Sequence, residues 1–583
     1  MTWDSATVDR TVDTDVLIVG GGGAAVRAAV AARDAGARTC LVLKGKLGRC
    51  GATVAAPGVP GVAWQAADPC SSNEDSPEVH ARNIVDAGLG MADPRLARIL
   101  AYEVLDRMEE LECWGLRFIP DPGGLKPHYT GYSCFGDQPR AHGIANSGWG
   151  HAGDLVKVNV AQMEQRDVQV HEDTFITDLV VEGGECVGAL ALGPDGQVVA
   201  YRAGAVVVAA GGARQLFPVE PGRPIIDTTG DGYAMALRAG AELTNMEFTQ
   251  YMLHPVQPFS VRAPGSFWTL FPALRSRHGD DALTPYLPPG VSREQVMIER
   301  TLHYPFSSRD TSKWLDIAIA SEIRAGRGTD NGALYLDFSH VDLSRFRPSR
   351  PQHMPQLRIG PIELPEGLTQ VKPAAHAING GIRINEQAAA TLPGLFAAGE
   401  AAAGPHGADR LGGGMVTNCQ VFGRRAGHFA AVHALQAGTR NPGPEALALP
   451  LARLRRFGQG ERSAEALLAA LQEATGTYLM VTRNEQGLRA LISRVQELSI
   501  GWLPQVAIGG VEALRRGVEV ENSLLVAELM ARAALVRCES RGSHFREDYP
   551  EQDDENWKVN ISFRQENGRL LQETVSLERK STE

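Results

Sequence analysis

The apolar positions fall into blocks of different period. Residues 13–20, DTDVLIVG, read as a short apolar strand. The alanine-rich stretch Ala24 to Ala35 reads as a helix closed by Gly36, and Arg38 to Leu43 supply a second strand. Such a β-α-β unit is parallel and right-handed. Further on, Asp93-Pro94 offers an N-cap and a first-turn proline, after which Leu96, Ile99, Leu100, Val104, Met108 and Leu111 keep helical spacing.

From 168 to 210 the pattern changes to alternating strands broken by Gly183-Gly184 and Pro194-Asp195-Gly196, a β-meander. Its continuation, AVVVAA at 205–210, is apolar on both faces and runs into Gly211-Gly212, as a parallel strand does when it ends beneath a ligand. Residues 251–360 are rich in proline, aromatics and arginine with weak periodicity, and predict an inserted cap. Residues 361–435 return to the glycine-rich style of the start. After Asn441-Pro442-Gly443-Pro444, Leu, Ala and Arg keep helical spacing through Cys538, and a polar tail ends in a hairpin turned at Asn567-Gly568.

Composition narrows the class. A chain of 583 residues with 43% hydrophobic and 21% charged side chains is ordinary globular material, and a net charge of −11 argues against nucleic-acid binding. The N-terminus lacks a secretory pattern and no apolar run reaches spanning length, so a cytoplasmic protein without direct membrane insertion is expected. Its eight cysteines are scattered with no C-x-x-C pair, which argues against a disulfide framework, structural zinc or an internal iron-sulfur cluster. No metal site is expected.

Gly20-x-Gly22-x-x-Ala25 follows a strand and opens a helix, the context in which a glycine turn cradles a dinucleotide pyrophosphate. Lys44 stands at the end of the second strand, where an acidic residue usually holds a ribose. That departure weakens NAD as the ligand and leaves FAD open.

The order LIVGGGGAA, GATVAAPG, VVVAAGG, TGDGYAMALRAGA, HPV, EIRAGRG, HAINGG, GLFAAGE, HGADRLGGG and ESRGSHFREDYP resembles the flavoprotein family of succinate dehydrogenase, fumarate reductase and L-aspartate oxidase. The likeness covers nearly the whole chain except roughly residues 255 to 305. It implies an α/β architecture in which a Rossmann-like FAD-binding domain (10–253 and 361–440) is interrupted by an α+β capping domain (254–360). A helical C-terminal domain (441–540) and a tail (541–583) follow.

The resemblance also implies residue roles. Gly20, Gly22, Gly23, Ala24, Ala25, Lys44, Gly51, Ala52, Thr53 and Gly58 fall on cofactor positions of the N-terminal unit. Ala210, Gly211 and Asp231 follow in the middle of the chain, and Gly399, Glu400, Arg410, Gly413, Gly414 and Met415 fall near the close of the flavin unit. Succinate dehydrogenases of the family attach FAD through a histidine just before a Thr-Val pair. Ala52 precedes Thr53-Val54 here, which implies non-covalent FAD.

His254, His376 and Arg410 match substrate-carboxylate positions, where a guanidinium fork and imidazole donors suit a carboxylate. The family's R-D-V-V-A-R segment reads RDTSKW, so its proton-delivering arginine aligns with Trp314 and Arg309 or Lys313 is left to stand in. Arg275, Arg277 and His278 form a further basic cluster. The implied activity is hydride transfer between flavin N5 and a small carboxylate-bearing substrate, as desaturation or enoate reduction, with a ferredoxin or iron-sulfur protein as partner. Alternatives within the resemblance are L-aspartate-oxidase-like oxidation of a C–N bond and the flavoprotein component of an adenylylsulfate-reductase-like enzyme.

Overall fold

Strand Arg10–Val19 lies at the centre of the principal sheet, its Val16, Leu17 and Ile18 wholly buried. The computed structural model describes residues 7–576 apart from 56–63, 69, 122, 125, 129, 131, 133, 146–152, 219–226, 258–267, 269, 341–367, 458 and 459. Parallel to the first strand run Thr39–Val42 on one side and Val198–Val208 on the other, and Gln169–His171 extends the sheet beyond Thr39–Val42. Leu395–Ala397 also pairs in parallel with Val198–Val208, bringing the late glycine-rich segment back to the first sheet. The architecture is α/β, a Rossmann-like unit with a capping unit and a helical C-terminal part.

The meander and the buried parallel strand share one element. Val198–Val208 pairs antiparallel with Glu185–Leu192, which pairs with Phe175–Glu182, while the same strand stays parallel to Arg10–Val19 along its length. A continuous strand of 11 residues is long enough to serve both partners.

Helix Gly23–Asp34 packs on helix Gly414–Ala437 with little between the backbones. A Cβ at Gly427 would stand 2.0 Å from the Ala28 carbonyl oxygen, so only glycine permits this approach. The crossing brings two helix N-termini, at Gly23 and Gly414, to the same end of the sheet.

The capping unit contains an antiparallel sheet of Thr249–Gln257, Leu368–Ile378, Leu334–Asp337 and Ala273–Arg275, with helices Arg293–Arg300 and Lys313–Arg324. Leu253, Leu274, Leu283, Ile319, Leu336 and Val371 belong to its own apolar core. Trp314 packs against this core and the main one, so it joins the two units.

Helices Pro444–Arg455, Ala464–Tyr478, Glu485–Glu497 and Val511–Val536 form the helical part. The final hairpin, Val559–Glu566 with Arg569–Ser576, turns at Asn567 and Gly568, both with positive φ, and docks beside Leu243–Thr244. Among the described residues no helix is long and apolar enough to cross a membrane.

Candidate active site

The glycine-rich segments meet at the C-terminal ends of the parallel strands. Gly20 has φ +124°, and a Cβ there would meet the Ala209 oxygen at 2.3 Å, just where Ala210 and Gly211 leave the neighbouring strand. Gly22 precedes helix Gly23–Asp34 without a side-chain cap, which leaves amides of the first turn open to an anion. Thr53 Oγ1 accepts from Gly23 N at 3.2 Å, and Gly51 stands against Gly22. Ala52 opens the short helix Ala52–Ala55. Gly58 lies outside the described residues.

The late segment closes on the same place. A Cβ at Gly399 would come within 2.8 Å of Ala24 Cβ, and Glu400 lies against Gly212 and accepts from Ile378 N at 3.0 Å. Burial pushes the Glu400 carboxyl above its usual range against the pull of that amide and of Arg410. Gly413, Gly414 and Met415 begin helix Gly414–Ala437 beside them. These residues leave an uncapped, glycine-lined cradle that fits an FAD pyrophosphate and ring.

Lys44 and Asp231 are engaged elsewhere. Lys44 Nζ donates to Asp231 Oδ2 at 2.9 Å, Glu519 Oε1 at 2.8 Å and Thr229 Oγ1 at 2.6 Å. Burial disfavours the lysine charge, but the two carboxylates outweigh it and raise its pKa above the usual value. Both side chains thus join the sheet end to helix Val511–Val536.

Arg410 is the unusual cation. Its side chain is buried, Nη2 donates to Gln250 Oε1 at 2.9 Å and Nη1 to the Leu411 carbonyl at 3.3 Å, while Nε has no partner among the described residues. No carboxylate forms an ion pair with it among those residues, and burial lowers its pKa. A buried guanidinium in this condition is costly until an anion meets it. The imidazole of His406 lies nearby, buried, with Nε2 unpartnered among the described residues and its pKa pushed well below the usual value by burial and by the Arg410 charge. A small cavity touches His406, Arg410 and the buried His80.

The two other histidines predicted for substrate lie on paired strands of the cap. His254 is buried on Thr249–Gln257, the strand that supplies Gln250 to Arg410, and His376 is half-buried on Leu368–Ile378, beside the bulge at Gln250/Tyr251. Ile378, two residues beyond His376, is the backbone donor to Glu400.

Arg309 comes to Arg410 through a carboxylate that sequence reasoning missed. Its Nη2 donates to Asp409 Oδ2 at 2.8 Å and to the Ala87 carbonyl at 2.7 Å, and its guanidinium lies 4.3 Å from the Phe135 ring centroid. Lys313 makes only a 3.5 Å contact with the Ser308 carbonyl and stands beside Trp314. The structure therefore ties Arg309 by hydrogen bonds to Asp409, the sequence neighbour of Arg410, and leaves Lys313 outside that network. The basic cluster is also partnered, Arg275 with Asp337 and Arg277 with Asp330.

The C-terminal motif braces the same loop. Ser543 Oγ donates to the Ala408 carbonyl at 3.0 Å, and the Gly542 carbonyl accepts from Ser308 N at 2.7 Å. Arg537 and Arg541 share the buried Glu539, and Arg537 also pairs with buried Glu247.

Residues 15–416 match the FAD binding domain family, and residues 468–582 match the fumarate reductase flavoprotein C-terminal family. The chain belongs to the succinate dehydrogenase and fumarate reductase flavoprotein family. It is an FAD-dependent oxidoreductase. One component of the fumarate reductase (CoM/CoB) of Methanothermobacter marburgensis is 33% identical over 94% of this chain and 96% of that protein. L-aspartate oxidase from Streptomyces coelicolor is 28% identical over 96% of this chain and 93% of its own length. Mycobacterium smegmatis Sdh1 in complex with UQ1 superposes with a TM-score of 0.81 at 28% identity, covering 97% of this chain and 95% of that one.

Proposed function

We propose that this flavoprotein reduces a short unsaturated dicarboxylate of the fumarate class, drawing electrons from a separate ferredoxin or iron-sulfur protein. The observation that carries this reading is Arg410, a buried guanidinium with an unpartnered Nε and no ion pair among the described residues. A substrate carboxylate supplies the missing charge and acceptors. The identity to one component of a fumarate reductase, named as part of a larger assembly, supports both the substrate class and the partner.

When bound, FAD supplies the hydride chemistry. The Gly20–Ala25 turn with Gly51 and Thr53 would hold its pyrophosphate end. Ala210, Gly211, Gly399, Glu400 and Gly413–Met415 would line the remainder. In this reading FAD is held without a covalent bond, because Ala52 has no nucleophilic side chain. The flavin unit takes in most of 10–253 and 361–440, and the cap, whose sheet also draws in Thr249–Gln257 and Leu368–Ile378 from either side of 254–360, closes over it to exclude water.

Arg410 fixes one carboxylate by its fork, Gln250 sets the plane of that fork, and His254 and His376 orient the rest of the substrate by hydrogen bonds. Arg309 delivers the proton to the carbon opposite the one that receives hydride. Asp409 keeps its guanidinium in place.

The test is an anaerobic assay of the purified FAD-loaded chain with reduced viologen. Addition of fumarate is expected to bleach the dye catalytically. A protein that leaves the dye unchanged with fumarate, yet whose flavin is reduced by L-aspartate, would replace this reading with amino-acid oxidation.

A further inference from the structure

Outside the flavin site, Asp68, His128 and His142 converge from three segments: the turn after strand Trp64–Gln65, the loop after helix Pro94–Cys113, and strand Ala141–His142. Asp68 Oδ2 lies 3.0 Å from His142 Nε2 and 3.6 Å from His128 Nδ1, and the three atoms fall within 4.8 Å of one another. Around a tetrahedral zinc ion with bonds of about 2.0–2.1 Å, neighbouring donors stand about 3.4 Å apart. Two sides of the triangle, at 3.0 and 3.6 Å, bracket that spacing.

The outer partners of both rings fix how they face inward. His142 Nδ1 lies 2.7 Å from the Arg140 carbonyl oxygen, which only accepts, so that nitrogen carries the hydrogen. His128 Nε2 lies 2.9 Å from Glu112 Oε1 and donates in the same way. In each ring the other nitrogen faces Asp68 Oδ2, that of His142 within hydrogen-bond reach at 3.0 Å. His128 Nδ1 is buried and has no hydrogen-bond partner among the described residues.

Asp68 is oriented as well. Its Oδ1 accepts from the backbone of Cys70 at 2.9 Å and Ser71 at 3.2 Å, leaving Oδ2 for the centre of the cluster. With side chains only 0–15% exposed, these three atoms offer a metal ion two imidazole nitrogens and a carboxylate oxygen once it displaces the protons they share. Imidazoles that donate outward to oxygen while their second nitrogens converge on a carboxylate follow the arrangement that surrounds metal ions in proteins.

We propose that Asp68, His128 and His142 bind one divalent first-row transition-metal ion, zinc by ligand type and spacing, with a water completing the tetrahedron on the partly exposed His128 side. The ion has a structural role. Ala141 pairs with Gln65, and Gln65 Nε2 donates to the Gly412 carbonyl at 2.6 Å, so the ion fastens the hairpin that supports the turn after Arg410.

The test uses the full-length FAD-loaded protein, stripped with a chelator, incubated with excess Co²⁺ and passed through a desalting column. One cobalt per chain should remain, with the intense visible absorption of a tetrahedral ion, and Zn²⁺ should displace it. His128→Ala, chosen because its ring is partly exposed, should keep its FAD, lose the bound cobalt, and lose the rise in melting temperature that Zn²⁺ gives the parent. Asp68→Asn should weaken cobalt retention at least tenfold. A parent protein that retains no cobalt or zinc would overturn the proposal. So would a folded His128→Ala variant that retains as much metal as the parent.

Discussion

Arg309 donates to Asp409, Nη2 to Oδ2 at 2.8 Å, and Asp409 is the residue immediately before Arg410. Asp409 is fully buried and also accepts from Ser307 Oγ at 2.7 Å, so the segment before helix Lys313–Arg324 is clamped to the loop that carries Arg410. The clamp limits how far apart the two guanidinium groups can move, and the proposed function gives them different tasks.

Arg410→Ala is expected to bind FAD normally, because the cradle depends on backbone and small side chains. Its kcat/KM for fumarate should fall by about 2 to 4 kcal/mol of transition-state binding, roughly 30- to 900-fold. Steady-state kinetics beside a flavin-to-protein ratio measures both.

Arg309→Gln should lower kcat by about 10²- to 10⁴-fold with a much smaller change in KM, the signature of a lost proton donor. Lys313→Gln should have a far weaker effect, since Lys313 lies outside the Asp409 network. A pH–rate comparison of the two variants decides between them.

Much of this was legible in the sequence, because the glycine turns and the hairpin at Asn567-Gly568 depend on short-range rules. The Gly20–Ala25 turn and Asp93-Pro94 cap act within a few residues of themselves. The pairing of Lys44 with Asp231 and Glu519 was not legible, since its members are separated by up to 475 residues and no local signal links a strand end to a distant helix. Asp409 was hidden for a related reason. No local signal shows that the fold turns its carboxylate to Arg309, 100 residues away. Asp68, His128 and His142 lack any ligand spacing, so only the folded chain brings them together.

Lys44→Met should destabilise the protein by about 3 to 5 kcal/mol, because it leaves Asp231 buried without its cation and takes one of its partners from Glu519, which keeps Arg516. The lysine pKa is raised in the folded state, so its contribution is complete below about 10.5 and is lost as pH rises through the higher folded value. The Asp231 pKa is lowered despite burial by the Lys44 charge, so its contribution is present above about 3.8 and is lost as acid carries pH through the lower folded value. Urea unfolding across pH should show both limbs in the parent and flatter limbs in the variant.

His80 is buried, and that burial, with the Arg140 charge, pushes its pKa down to about 3. The unfolded chain takes a proton near 6.5 while the folded one does not, so stability falls as pH drops from about 6.5 toward 3, by up to about 1.4 kcal/mol per pH unit for this group. His80→Gln should remove its share of that slope. His406 and His544 are depressed in the same direction, so the slope should shrink without vanishing.

Acid denaturation should release free FAD from the polypeptide, in keeping with Ala52. Chromatography of the denatured protein makes the check, and flavin travelling with the chain would contradict the non-covalent reading.

The most direct measurement is rapid mixing of the anaerobically reduced flavoprotein with fumarate, comparing the parent with Arg410→Ala at equal flavin content. Return of the oxidised-flavin absorbance at a rate that saturates with fumarate in the parent, and is roughly 30-fold or more slower in the variant, is the predicted result. A parent flavin that stays reduced in fumarate, or a variant that reoxidises just as fast, would contradict a carboxylate site built on the buried arginine.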